Sequence, residues 1–68
     1  MPRVPLIGVS ACTRQIGHHS FHIAGDKYLR AAAVAGMPLV IPALGDLIDP
    51  AALLDSLDGL LFTGSPSN

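Results

Sequence analysis

The sequence predicts an α/β fold in which strands and helices alternate as β-α-β-α-β and the strands pair in parallel. Three short apolar runs, residues 4–9, 39–41 and 60–63, are near-continuous rather than alternating, as suits strands covered on both faces of a parallel sheet. Two stretches with helical spacing and helix stop signals lie between them. Connections of that length favour parallel pairing through right-handed crossovers.

The elements follow in order. Val4-Pro5-Leu6-Ile7-Gly8-Val9 reads as the first strand, with Pro5 near its start, where a missing N–H is tolerated. Gly8, inside that run, reads as a place of close packing. Residues 10–22 are polar, contain Gly17 and all three His, and read as a loop at the strand's carboxyl end. Residues 23–35 read as a helix. Ala31, Ala32 and Ala33 are strong helix formers, and Tyr28, Ala32 and Ala35, with Leu29 beside them, give it one apolar face. Asp26 sits in the first turn and can pair with Arg30 four residues on. Gly36 and Pro38 stop the helix. Leu39-Val40-Ile41 is the second strand, between Pro38 and Pro42. Asp49-Pro50 opens a second helix, with Asp as N-cap and Pro in the first helical position. Leu53, Leu54 and Leu57 form its apolar stripe, Asp55 and Ser56 face out, and Gly59 ends it. Leu60-Leu61-Phe62-Thr63 is the third strand, and Gly64-Ser65-Pro66-Ser67-Asn68 follows.

Size and composition narrow the function. At 68 residues the chain is one small domain or part of one. A free-standing chain of this size wants a staple, and the single Cys12 can form no internal disulfide. Half the residues are hydrophobic and only 13% are charged, against ~25% on average, which excludes a charge-rich disordered segment. A net charge of −1 with four basic residues argues against a nucleic-acid partner. No run approaches the ~20 apolar residues of a spanning helix, and the apolar stretch after Arg3 is shorter than a signal-peptide core. No membrane partner is expected, and cytoplasm is the expected compartment. Glu is absent, so Asp26, Asp46, Asp49, Asp55 and Asp58 are the only side-chain carboxylates. Two helices on one side of three parallel strands leave the other side bare. The chain is therefore expected to continue past Asn68, where the next helix is due, or to find a partner such as a second copy. Alone, residues 1–68 are expected not to fold cooperatively.

Ligands of open α/β sheets bind at the carboxyl ends of the strands, which here means residues 10–22 and 64–68. Gly64-Ser65-Pro66 is a small-residue turn that can present backbone N–H groups to an anion, or can be an ordinary polar turn. Cys12 lies among His18, His19 and His22, but no sharp elbow surrounds it, and a partly buried thiol is the favoured reading. His19 and His22 are three apart, a spacing that would bring them together on a helix. Zinc needs further ligands, and only Cys12 or Asp26 is near, so a polar loop is favoured over a metal site. Lys27 reads as solvated and Tyr28 as a core anchor.

Taken together, Pro5-Leu6-Ile7-Gly8-Val9, Thr13-Arg14, Gly17-His18, Asp26-Lys27-Tyr28-Leu29, Ala35-Gly36-Met37-Pro38-Leu39, Leu57-Asp58-Gly59-Leu60-Leu61 and Thr63-Gly64-Ser65-Pro66-Ser67-Asn68 resemble the amino-terminal part of the γ-glutamyl-γ-aminobutyrate hydrolases. These belong to the class I glutamine-amidotransferase-like superfamily, peptidase family C26. The resemblance implies that residues 1–68 are the amino-terminal β-α-β-α-β part of a single flavodoxin-like three-layer sandwich, with the remainder of the domain absent. It implies hydrolysis of γ-glutamyl amides, as in putrescine degradation, by a Cys nucleophile with a His and a Glu, all outside this segment. The 68-residue chain alone is then expected to be inactive. It also implies that the turn after the third strand supplies an oxyanion-hole donor. That donor is the backbone N–H of Ser65, with Gly64 giving the turn its freedom, since Pro66 has no N–H. Many members carry Gly-Gly-Pro there, and Ser65 departs from this only in its side chain. The expected partner is a small γ-glutamyl substrate; no cofactor and no metal are expected. The alternatives are a non-catalytic binding or assembly module and the glutaminase part of an amidotransferase.

Overall fold

The computed structural model describes residues 3–63. Its centre is a parallel sheet of three strands in the order β4-β1-β5, made of β1 (Leu6–Ser10), β4 (Met37–Ile41) and β5 (Gly59–Leu61). The expected β-α-β-α-β alternation of parallel strands is present, and the order is that of the first three strands of a flavodoxin-like sheet. Leu6 pairs with Met37 through to Ser10 with Ile41 on one side, and Ile7 with Gly59 through to Val9 with Leu61 on the other. From β1 the chain steps to β4 and then crosses back to β5. Right-handed crossovers in opposite directions set their helices on opposite faces of the sheet, and not both on one side as the sequence reading expected.

The first crossover departs from expectation. Residues 10–22 are not a loop. They contain β2 (Cys12–Ile16) and most of β3 (His19–Ile23), paired antiparallel from Cys12 with Ile23 to Ile16 with His19. The two strands are joined at Gly17-His18. Gly17 has φ of 63° and is the one described residue with positive φ, which matches a two-residue hairpin loop carrying Gly in its first position. The physical cause is the period-2 pattern: Cys12, Arg14 and Ile16 alternate with Thr13 and Gln15, and His19, Phe21 and Ile23 with Ser20 and His22.

Because β3 takes Ile23, α1 begins later than expected and spans Asp26–Ala35. Gly25 is its N-cap; the Gly25 carbonyl accepts from the N–H of Tyr28 at 3.1 Å and of Leu29 at 3.2 Å. Arg30 Nε lies 2.7 Å from Asp26 Oδ2, the expected pair on the wet side. Lys27 Nζ stands 5.1 Å over the Tyr28 ring. The helix packs on β1 and β4 through half-buried Tyr28 and Leu29 and buried Ala32; Ala35, expected on that face, is exposed. Gly36 closes the helix in an extended conformation, its N–H donating to the Ala32 carbonyl at 2.9 Å. A side chain at Gly36 would collide with the Pro5 carbonyl, so glycine is demanded there by close approach.

β4 starts two residues before the expected Leu39, because the Met37 N–H already donates to the Pro5 carbonyl at 2.7 Å. Pro38 is thus inside a strand. The alternation of a ladder turns its nitrogen to the outer edge, where a donor is not needed. α2 (Pro50–Ser56) opens as the sequence predicts, with Asp49 Oδ1 accepting from the Ala51 N–H at 3.1 Å. It ends before Leu57, not at Gly59, which belongs to β5. Leu53 and Leu57 are half-buried, whereas Leu54, placed on the same stripe, is exposed. A Cβ on Gly8 would stand 2.7 Å from Leu57 Cδ1, so glycine admits that close packing.

Val9 and Ala32 are the buried hydrophobic residues among those described. Leu39 and Val40, neighbours that point to opposite faces of β4, are 38% and 46% exposed. Neither face of that edge strand is therefore fully covered, a state parallel sheets rarely tolerate.

Candidate functional site

The order β4-β1-β5 places the point where the strand order reverses between β1 and β5. In open α/β sheets that point, at the carboxyl ends of the strands, is where ligands bind. Here it lies between Ser10 at the end of β1 and the residues that follow Leu61.

The main-chain ladder between these strands ends with Val9 and Leu61. Past it, two side-chain bonds hold the chain. The Thr63 N–H donates to Ser10 Oγ at 3.0 Å, and Thr63 Oγ1 donates to the Ser10 carbonyl at 3.1 Å. Both bonds are partly buried. Thr63 is the last described residue. Gly64 and Ser65, expected as the oxyanion turn, are the next residues in sequence and lie outside the described residues.

Beside this clamp is a cleft of about 360 Å³, lined by Ser10, Ala11, Ile41, Pro42, Ile48 and Leu53 among others. It opens between the carboxyl ends of β1 and β4 and the start of α2. Its walls are aliphatic apart from Ser10, the composition of a pocket that takes a small organic molecule and orients it through few polar groups.

The hairpin is tethered over the same end of the sheet. The Ala11 N–H donates to the Ile41 carbonyl at 3.0 Å, and the Ala43 N–H donates to His22 Nδ1 at 3.0 Å. His22 is thus an acceptor that ties β3 to the connection leading into α2. His19 and His22, three apart on a strand and not on a helix, point to opposite faces of the hairpin. Among the described residues, no group of three or more His, Cys, Asp or Glu is arranged to hold a metal ion.

Cys12 is half-buried and opposite Ile23. His22, opposite Thr13, faces the other side of the hairpin. His19 shares the Cys12 side but sits opposite Ile16, ~13 Å along the strand at ~3.3 Å per residue. The hairpin therefore separates the thiol from the imidazoles that sequence proximity suggested.

Ser10 and Thr63 are the residues that sequence reasoning did not single out for this end of the fold; His22, weighed there as a base or metal ligand, is instead an acceptor for the Ala43 N–H. A faint signal existed for Ser10, a lone hydroxyl closing an apolar strand at its carboxyl end. Thr63 carried none, since its partner is 53 residues away. No helix among the described residues is long and apolar enough to cross a membrane.

Comparison with known proteins adds a second line. The family model described as Peptidase C26 matches residues 5–68. The chain is 39% identical over 66 residues to gamma-glutamyl-gamma-aminobutyrate hydrolase of Escherichia coli strain K12, covering 94% of this chain and 26% of the relative. The proteins of the same name from Shigella sonnei and Shigella flexneri are 39% and 38% identical over the same coverage. The chain thus spans about a quarter of the length of these curated relatives.

Proposed function

The chain belongs to the peptidase C26 family, and from that premise we propose that it is part of an enzyme that hydrolyses γ-glutamyl amide bonds, γ-glutamyl-γ-aminobutyrate among them, in cytoplasmic polyamine breakdown. The observation that carries the reading is the family match through residues 64–68, which includes the Gly64-Ser65-Pro66 turn directly after the clamped Thr63.

The nucleophile is a Cys thiolate outside residues 1–68. It attacks the γ-carbonyl carbon, and the carbonyl π pair moves onto oxygen. The Ser65 N–H donates to that oxyanion, where the hydrogen bond is strongest because the charge has just formed. Collapse expels the amine, which takes a proton from a general acid also outside the segment, and leaves a γ-glutamyl thioester. Water then adds to the thioester, and a second collapse releases glutamate and restores the thiolate. Residues 1–68 contribute the turn, the strand that presents it and one side of the cleft. Without nucleophile, base and acid they are inactive alone.

The complete protein is the material for the test. Incubated with γ-glutamyl-γ-aminobutyrate, it is expected to release glutamate and γ-aminobutyrate in equal amounts, and pretreatment with iodoacetamide is expected to abolish release. No release from this or other γ-glutamyl amides, or release indifferent to alkylation, overturns the reading.

A further inference from the structure

We propose that Ser10 is a positioning residue for this reaction, acting through Thr63 to fix the last described point of the chain before the oxyanion donor; the proposal rests on the role given to Ser65 above. The geometry is specific to the point where β5 parts from β1. Strand pairing ends at Val9 and Leu61, and two residues later the Thr63 N–H has no ladder carbonyl to meet. The Ser10 hydroxyl supplies the acceptor at 3.0 Å, and the Thr63 hydroxyl returns a bond to the Ser10 carbonyl at 3.1 Å. Two bonds between the same two residues fix direction as well as distance, as one bond cannot. Gly64 is the next residue in sequence. An oxyanion donor works only if held within a few tenths of an ångström of its target, so the turn needs a rigid root, and the clamp is that root.

Ser10 touches no reacting atom in this account. Its effect is therefore expected in the transition state, where the Ser65 donor acts, and not in substrate binding. In the complete protein, Ser10→Ala removes the acceptor and Thr63→Val removes the returning hydroxyl with little change of shape. Each is expected to lower kcat severalfold. The double variant is expected to lower it about tenfold or more, short of the ~10²–10³ for deleting the donor itself, with KM nearly constant. Ser10→Thr and Thr63→Ser keep the hydroxyls and are expected to restore most of kcat. Thermal melts of every variant separate misplacement from unfolding.

Unchanged kcat in the double variant, while Ser65→Pro abolishes turnover, overturns the role of Ser10 and leaves the oxyanion turn standing. A loss that follows the fraction unfolded, or that Ser10→Thr fails to restore, makes Ser10 a packing residue and equally overturns it. If Ser65→Ala and Ser65→Pro lose activity alike, the oxyanion assignment itself fails and the proposal falls with it.

Discussion

The ladder between β1 and β5 is finished by side chains at both ends, and the two finishes differ in kind. At the amino end a carboxylate does it. Asp58 Oδ2 accepts from the Leu6 N–H at 2.7 Å, the Asp58 N–H donates to the Leu6 carbonyl at 2.8 Å, and Asp58 Oδ1 takes Arg3 at 2.9 Å. At the carboxyl end two neutral hydroxyl-bearing residues, Ser10 and Thr63, do the same task. A charged group on a backbone N–H makes the stronger bond, and near water it is only partly screened. A hydroxyl is weaker but can both donate and accept, and it leaves the strand end uncharged beside an apolar cleft. The amino end is held by a charge; the carboxyl end is held without one, and under the proposed function a carboxylate there would repel the developing oxyanion.

The largest test of that contrast is at Ser65. Ser65→Ala keeps the backbone donor and is expected to leave kcat of the complete enzyme within a few-fold of the parent. Ser65→Pro deletes the donor and is expected to lower kcat by ~10²–10³ or more, with added strain because Gly64 then precedes a proline. Steady-state kinetics on a γ-glutamyl amide reads both. Equal losses would place the effect in the hydroxyl or the fold, and the carboxyl end would lose its claim to chemistry.

Asp58 tests the other end and should move a different quantity. Asp58→Ala leaves the Leu6 N–H without its partner and Arg3 without its ion pair. The carboxylate is about a third exposed, so the loss is expected near ~1–2 kcal/mol rather than the full value for a buried charged bond. In a protein of the relatives' length this is a fall in Tm of a few degrees, with kcat unchanged in the folded fraction. Asp58→Asn keeps an acceptor and should recover most of it. A kcat loss without a Tm shift would break the division between the two ends.

The sequence disclosed these regions unevenly. The parallel strands were legible because strands covered on both faces read as apolar runs. α2 was legible because its cap is local: Asp49 reaches only to Ala51. The hairpin was not, because it has polar residues at every second position and three His, and so looked like a loop. Its real signal was the alternation on either side of Gly17-His18, which a search for apolar runs passes over. The finishing bonds of the β1–β5 ladder were illegible for another reason. Asp58 and Leu6 are 52 residues apart, Ser10 and Thr63 are 53 apart, and nothing local marks which hydroxyl or carboxylate will meet which amide. The role of Ser65 came from resemblance, not from any spacing in the chain.

The smallest expected effect is at Cys12, and it shows how narrow the chemical part of the carboxyl end is. Cys12 lies two residues beyond Ser10 and is the only thiol in the chain, so nearness alone would nominate it. The hairpin argues otherwise. Its partner across the ladder is Ile23; His22 stands on the opposite side, with Nδ1 already accepting from the Ala43 N–H, and His19 is ~13 Å further along. A nucleophilic thiol needs a base within hydrogen-bond reach, and no hydrogen bond from a described residue reaches the Cys12 thiol. Cys12→Ser, close in volume and still polar, is therefore expected to keep most of kcat on a γ-glutamyl amide and to change Tm by little, since the site is half-buried. Alkylation kinetics sharpen the point: the variant should lose activity to iodoacetamide as fast as the parent, because the proposed reaction uses a thiol outside residues 1–68. A fall in kcat of several orders of magnitude, or resistance of Cys12→Ser to the reagent, would place the nucleophile on the hairpin and move the reaction centre away from the point between β1 and β5.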